Sequence, residues 1–257
     1  CGSRRGRPSD TTMQTLNDRE VLVAQPIQEL GSFTAPSSLE ADQYRMLRHA
    51  VERLRHESGC QVFGITSAGA GDGKTVTTLN LAGAIAQSSG TRVLVVCADL
   101  HRETVTQYLG LPNFRGPGLA DVIVNDGYGL DDVVRRIARF NVSILPAGNV
   151  TSRPYELLAS PRFGEIVAEA RRRFDYVLID TPPVAPLADC RLLGRAVDGF
   201  IVVVAADKTP RKLLGEALAL LDLSKVLGVV FNGDPQPLSP YYGYYAHHSN
   251  SVPLTRK

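Results

Sequence analysis

In Val62-Phe63-Gly64-Ile65-Thr66-Ser67-Ala68-Gly69-Ala70-Gly71-Asp72-Gly73-Lys74-Thr75 an apolar, β-branched run passes into a turn of small residues that ends in Lys-Thr. A helical pattern follows over Thr75–Gln87. The stretch therefore predicts strand, glycine-rich turn and helix in succession, which is the geometry that wraps phosphates. Small residues let backbone N–H groups turn inward, and the helix N-terminus adds the positive end of its dipole. Lys74 is placed to reach the β- and γ-phosphates of a nucleotide, and the Thr75 hydroxyl to ligate Mg²⁺. Gly69, Ala70, Gly71, Asp72, Gly73, Lys74, Thr75 and Val76 form the expected cradle. The strict pattern G-x-x-x-x-G-K-[ST] opens on Gly, where this chain has Ala68, a mild departure because alanine is nearly as small.

Outward from this stretch, short β-branched runs alternate with amphipathic ones. Strands are expected at Gln61–Thr66, Arg92–Cys97, Val142–Leu145, Tyr176–Ile179, Phe200–Ala205 and Leu227–Phe231. Helices are expected at Ser38–Arg55, Thr75–Gln87, Gly118–Val124, Tyr155–Arg173, Pro186–Arg195 and Arg211–Leu223, the first with Ser38 as N-cap. Continuous apolar strands separated by helices predict an α/β fold, a mostly parallel central sheet covered by helices on both faces. Two strands end in acids, Asp99 and Asp180, where an open α/β sheet places its ligand crevice. Such acids suit the Mg²⁺ shell, because this ion demands hard oxygen ligands. Pro182 and Pro183 oppose a helix directly after Asp180, so its reading as a mere helix cap is the weaker one.

Composition sets the bounds. In 257 residues, 44% are apolar and 21% charged, enough to bury a sizeable core. The net charge of +2 argues against a nucleic-acid coat. Cys1, Cys60, Cys97 and Cys190 lie far apart, which suggests neither a zinc site nor a disulfide framework. No run approaches the roughly 18 apolar residues of a membrane span. Residues 1–36, with Arg4, Arg5 and Arg7, lack apolar periodicity and are expected to be a flexible arm or linker. Residues 37–235 hold the nucleotide-binding domain, and 236–257 form a tail carrying Tyr241, Tyr242, Tyr244 and Tyr245.

Together these motifs resemble the bacterial tyrosine kinases (BY-kinases) of capsule and exopolysaccharide biosynthesis, P-loop NTPases related to MinD/ParA-type ATPases. The match runs from about Ser38 to Tyr245. Gly71-Asp72-Gly73-Lys74-Thr75 fits the family's Walker A and Ile179-Asp180-Thr181-Pro182-Pro183 its Walker B. The MinD/ParA subclass has a signature Lys at position 69, where Gly69 stands, and this favours the kinase branch. The resemblance implies ATP and Mg²⁺ as cofactors, with Lys74, Asp99 and Asp180 catalytic and Thr75, Asp99 and Asp180 about the metal. It implies that Asn232 contacts adenine and that the four tail tyrosines accept phosphate in trans. It also implies a ring-like homo-oligomer packed through Asp42, Arg45 and Arg48, and a membrane polysaccharide co-polymerase as partner. A cytoplasmic protein at the inner face of the membrane follows from that partner.

One motif departs. The family's Walker A′ runs apolar-apolar-apolar-D-x-D-x-R, and the matching stretch here is Leu94-Val95-Val96-Cys97-Ala98-Asp99-Leu100-His101. Cys97 replaces the first acid and His101 the Arg, with Arg102 one place later. A thiol is mostly neutral at pH 7 and a soft ligand, so it is no substitute for a carboxylate on Mg²⁺. A working autokinase, a catalytically weakened ATP-binding regulator of the same machinery, and a MinD/ParA-type ATPase therefore stand as alternatives.

Overall fold

In a computed structural model of the chain, which describes residues 27–111, 114, 116–150, 153–184 and 192–234, seven strands form one sheet. They are β1 (Val62–Ser67), β2 (Val93–Cys97), β3 (Arg135–Ile137), β4 (Val142–Leu145), β5 (Tyr176–Asp180), β6 (Gly199–Ala205) and β7 (Val226–Asn232). Their order is β3-β4-β2-β5-β1-β6-β7, parallel throughout except for β3 against β4. Every residue of β1, β2, β5 and β6 is buried, so helices and loops cover both faces of the sheet centre. The described helices are α1 (Gly31–Thr34), α2 (Leu39–Ser58), α3 (Lys74–Ala86), α4 (Val105–Tyr108), α5 (Leu119–Val124), α6 (Leu130–Val133), α7 (Pro154–Ala159), α8 (Pro161–Arg173) and α9 (Arg211–Leu220). Among the described residues, no helix is long and apolar enough to cross a membrane.

Local chemistry accounts for the element ends. Ser38 caps α2 by accepting the Ala41 N–H at 3.2 Å, and Gly59 closes it in the left-handed region. The single helix expected over Tyr155–Arg173 is two. Ser160 is extended (ψ 136°) ahead of Pro161, whose ring disfavours helical backbone before it, and its Oγ then caps α8. Helix α9 stops at Leu220 rather than Leu223, with Leu221 extended. Strand β3 was not expected because Arg135 and Arg136 break the apolar pattern. Charges are tolerated there because β3 lies at a sheet edge.

The end of the expected arm also differs. From Ile27 onward the chain packs on the domain: Leu30 is fully buried, Phe33 is 6% exposed, and α1 sits on α3. Phe33 meets Phe140 edge to face at 4.7 Å, and the absence of a side chain at Gly83 makes room for its ring. Asn80 of α3 fastens the backbone above it, accepting from Ser32 N at 2.9 Å and donating to Glu29 O at 2.8 Å. One helical turn offers two apolar residues three apart, too few to register as periodicity. Residues 1–26 and 235–257, the four tail tyrosines among them, lie outside the described residues, as does most of the helix expected at Pro186–Arg195. Replacing Phe33 by Ala is expected to lower stability by about 3 kcal/mol, read from the urea midpoint at unchanged m-value.

Candidate active site

The sheet order decides what meets at its C-terminal edge. Strand β5 lies between β1 and β2, and the register sets Asp180 opposite Ile65 on one side and Cys97 on the other. The phosphate loop leaves β1 two residues beyond Ile65, and Asp99 follows Cys97 by two. Three segments far apart in sequence therefore end in one place. The backbone seals the corner: Ala98 N and Asp99 N both donate to the Asp180 carbonyl, at 2.8 and 3.0 Å.

Within this corner, Lys74 Nζ pairs with Asp99 Oδ2 at 2.8 Å, both side chains nearly buried. The Thr75 hydroxyl donates to Asp180 Oδ2 at 2.8 Å and lies 3.0 Å from the Thr104 hydroxyl. Asp180 is 1% exposed, and its carboxyl is pushed up to about 6. Burial is the main cause and the Asp99 charge adds to it, while Lys74, Thr75 and Thr78 pull the other way. Lys74, Thr75, Asp99 and Asp180, expected to act together, are brought together.

The loop is held from outside. Gly71 (φ +84°) and Gly73 (φ +95°) lie in the left-handed region, which glycine enters freely. A Cβ at Gly73 would collide with the Asn232 amide nitrogen. Ala68 and Ala70 have ordinary negative φ, so neither position requires glycine. Asp72 lies in the loop as expected, and its side chain points into the protein. It is 4% exposed and accepts from Gly69 N and the Thr209 hydroxyl, both at 2.9 Å. Asn232 donates to the Asp72 carbonyl at 3.0 Å, and Lys208 Nζ to the Gly71 carbonyl at 3.3 Å. Gly69, Ala70 and Gly71 form the open crown of the loop, and Val76 is half-buried just inside the helix. Sequence reasoning missed Thr78, Thr104, Thr209 and Lys208; no motif marks them, because each acts through a contact across the fold.

Cys97 is 2% exposed, and burial pushes its thiol well above the usual range, with the Glu103 and Asp180 charges adding to the shift. It stands in this corner as a neutral thiol. The remaining oxygens, from Thr75, Thr104, Asp99 and Asp180, suit a hard dication such as Mg²⁺. Among the described residues no three His, Cys, Asp or Glu side chains could hold a metal together. That agrees with an ion that keeps waters and takes one or two protein oxygens beside substrate phosphates. On α2, Arg45 pairs with Asp42 and donates to Pro36 O at 2.6 Å. Arg48 donates to Ala84 O at 3.1 Å and pairs with Glu52. All three expected ring residues thus have partners within the chain.

This sheet order, with a lysine-bearing glycine loop facing two acidic strand ends, defines a P-loop nucleotide-binding domain, and a family model described as "AAA domain" matches residues 60–218. The chain is 34% identical over 221 residues to tyrosine-protein kinase YwqD of Bacillus subtilis (strain 168), covering 85% of this chain and 92% of that protein. It is 32% identical over 223 residues to the succinoglycan biosynthesis transport protein ExoP of Rhizobium meliloti (strain 1021), covering 84% of this chain and 28% of that protein. Among solved structures it is similar to the BceF tyrosine kinase domain, with a TM-score of 0.71, 30% identity, and 80% and 82% of the two chains covered. The chain belongs to the bacterial tyrosine-kinase family of P-loop ATPases.

The raised carboxyl of Asp180 has a consequence for stability. Its folded pKa, about 6, exceeds the unfolded value of 3.8, so between these values the folded state binds the extra proton. Stability from this group therefore falls as pH rises from about 4 to 6 and stays low above. Asp180→Asn is expected to remove that slope and raise nucleotide-free stability at pH 7.5 by on the order of 2 kcal/mol, measured by urea denaturation across pH 4 to 7.5.

Proposed function

We propose that this chain is an ATP-dependent tyrosine autokinase that phosphorylates the tyrosines of its own C-terminal cluster, from one subunit to another. The observation that carries the reading is the meeting of Lys74, Thr75, Asp99 and Asp180 at one corner of the sheet, in a chain whose relatives bear the name of tyrosine kinase. Mg-ATP supplies the transferable phosphoryl group and a metal charge that neutralises its oxygens. The loop's backbone N–H groups and the Lys74 ammonium would hold the phosphates, while Thr75 and Asp180 would hold the metal. Asp99, paired with Lys74, would orient that ammonium. Asn232, at the end of β7 beside Gly73, would contact the base. Catalysis of this kind rests on positioning and electrostatics, which a rigid corner supplies.

The acceptors are Tyr241, Tyr242, Tyr244 and Tyr245, each of whose hydroxyls enters another subunit's site. Phosphorylation adds up to about two negative charges per tyrosine, which loosens a ring of touching subunits. Subunits meet through the α2 face bearing Asp42, Arg45 and Arg48. A membrane polysaccharide co-polymerase holds the ring at the inner face of the membrane, where the cycle regulates capsule or exopolysaccharide polymerisation and export. Nucleic acid has no part in this reading. The second reading, an ATP-binding regulator that transfers phosphate slowly or not at all, is favoured by the buried, neutral thiol of Cys97 where the family has an acid.

Phosphotyrosine mapping by mass spectrometry after incubation with Mg-ATP separates the two. The parent is expected to phosphorylate its tail, and Lys74→Met to lose this about a hundredfold or more. Lys74→Met mixed with a parent whose four tail tyrosines are Phe is expected to gain phosphate, which establishes transfer between subunits. A parent without tail phosphate, beside a Cys97→Asp variant that has it, sinks the autokinase reading in favour of the regulator. Phosphate on Lys74→Met alone would reveal a contaminating kinase.

A further inference from the structure

The thiol of Cys97 lies among the strand ends with Asp180 opposite, and it supplies neither a hard oxygen nor a charge. A carboxylate reaches the same corner by another route. Strand β2 runs out through Ala98-Asp99-Leu100-His101-Arg102-Glu103-Thr104 to α4. Glu103 Oε1 accepts the backbone N–H of Ala147 at 3.4 Å, just beyond the end of β4, the strand next to β2. Register pairs Val96 with Leu145, so Ala147, two residues further on, lies by the end of β2 that carries Cys97. The next residue, Thr104, sets its hydroxyl 3.0 Å from that of Thr75. Glu103 and Thr104 thus deliver a carboxylate and a hydroxyl onto the site from one turn.

We propose that Glu103 is an outer carboxylate of the metal site, accepting hydrogen bonds from waters on the ion that Thr75 and Asp180 hold, and so supplying the charge that Cys97 lacks. The inference rests on the Mg-nucleotide reading above. The role is an outer one because Glu103 Oε1 engages the Ala147 N–H beyond β4, to one side of the Thr75 and Asp180 pair that would take the ion directly. Glu103 is half-buried and open enough for water to reach.

The test uses the full chain with saturating ADP and Mn²⁺ as the probe, free Mn²⁺ being read by its paramagnetic resonance signal. Glu103→Gln keeps the shape and an acceptor for Ala147 N–H. It is expected to weaken Mn²⁺ binding about tenfold while ADP binding in EDTA and the unfolding midpoint stay unchanged. Adding Cys97→Asp to Glu103→Gln is expected to restore Mn²⁺ affinity to within about twofold of the parent, because the charge returns to the same corner. Unchanged Mn²⁺ affinity in Glu103→Gln, or a double variant no better than Glu103→Gln alone, overturns the proposal and leaves the nucleotide reading standing. A parent that binds no Mn-ADP overturns both.

Discussion

The insertion of β5 between β1 and β2 is the constraint from which the rest of the site follows. A strand written more than a hundred residues after the phosphate loop pairs with the strand that launches it. Parallel register then fixes which residues share a row, and Asp180 falls level with Ile65 and Cys97. Moving β5 by one residue would turn Asp180 to the other face and separate it from Thr75. Burial at this row is costly for a carboxylate, as its raised pKa shows, and two threonine hydroxyls and the Lys74 charge offset part of the cost. A site built this way is strained toward cations before any ligand arrives.

Much of this was legible in the sequence, and the reasons differ by element. The central strands announce themselves because burial on both faces forces an unbroken apolar run, as in Val93-Leu94-Val95-Val96. The phosphate loop reads clearly because glycine at Gly71 and Gly73 answers a backbone demand that few other residues meet. Strand β3 and helix α1 did not read, since an edge strand tolerates Arg135 and Arg136 and a single turn carries no period. The split between α7 and α8 was readable in principle from Ser160-Pro161, whose local chemistry outweighs the amphipathic pattern running across it.

The inward turn of the Asp72 side chain belongs to a different class, because only a tertiary contact decides it. Thr209, arriving from the turn after β6, holds one carboxylate oxygen while Gly69 N holds the other. The acid therefore braces the loop from within. Cys97 makes the complementary point: the sequence locates the substitution, and the fold shows the thiol buried and level with Asp180.

The Asn232 amide grips the Asp72 carbonyl across 160 residues of chain. As the polypeptide is synthesised, the glycine turn emerges well before the strand that clasps it. Loop closure over such a span is slow to be rewarded, so the turn waits, unclasped, for nearly the whole domain. A nascent fragment lacking β7 therefore carries the signature of the loop without the clasp that finishes it.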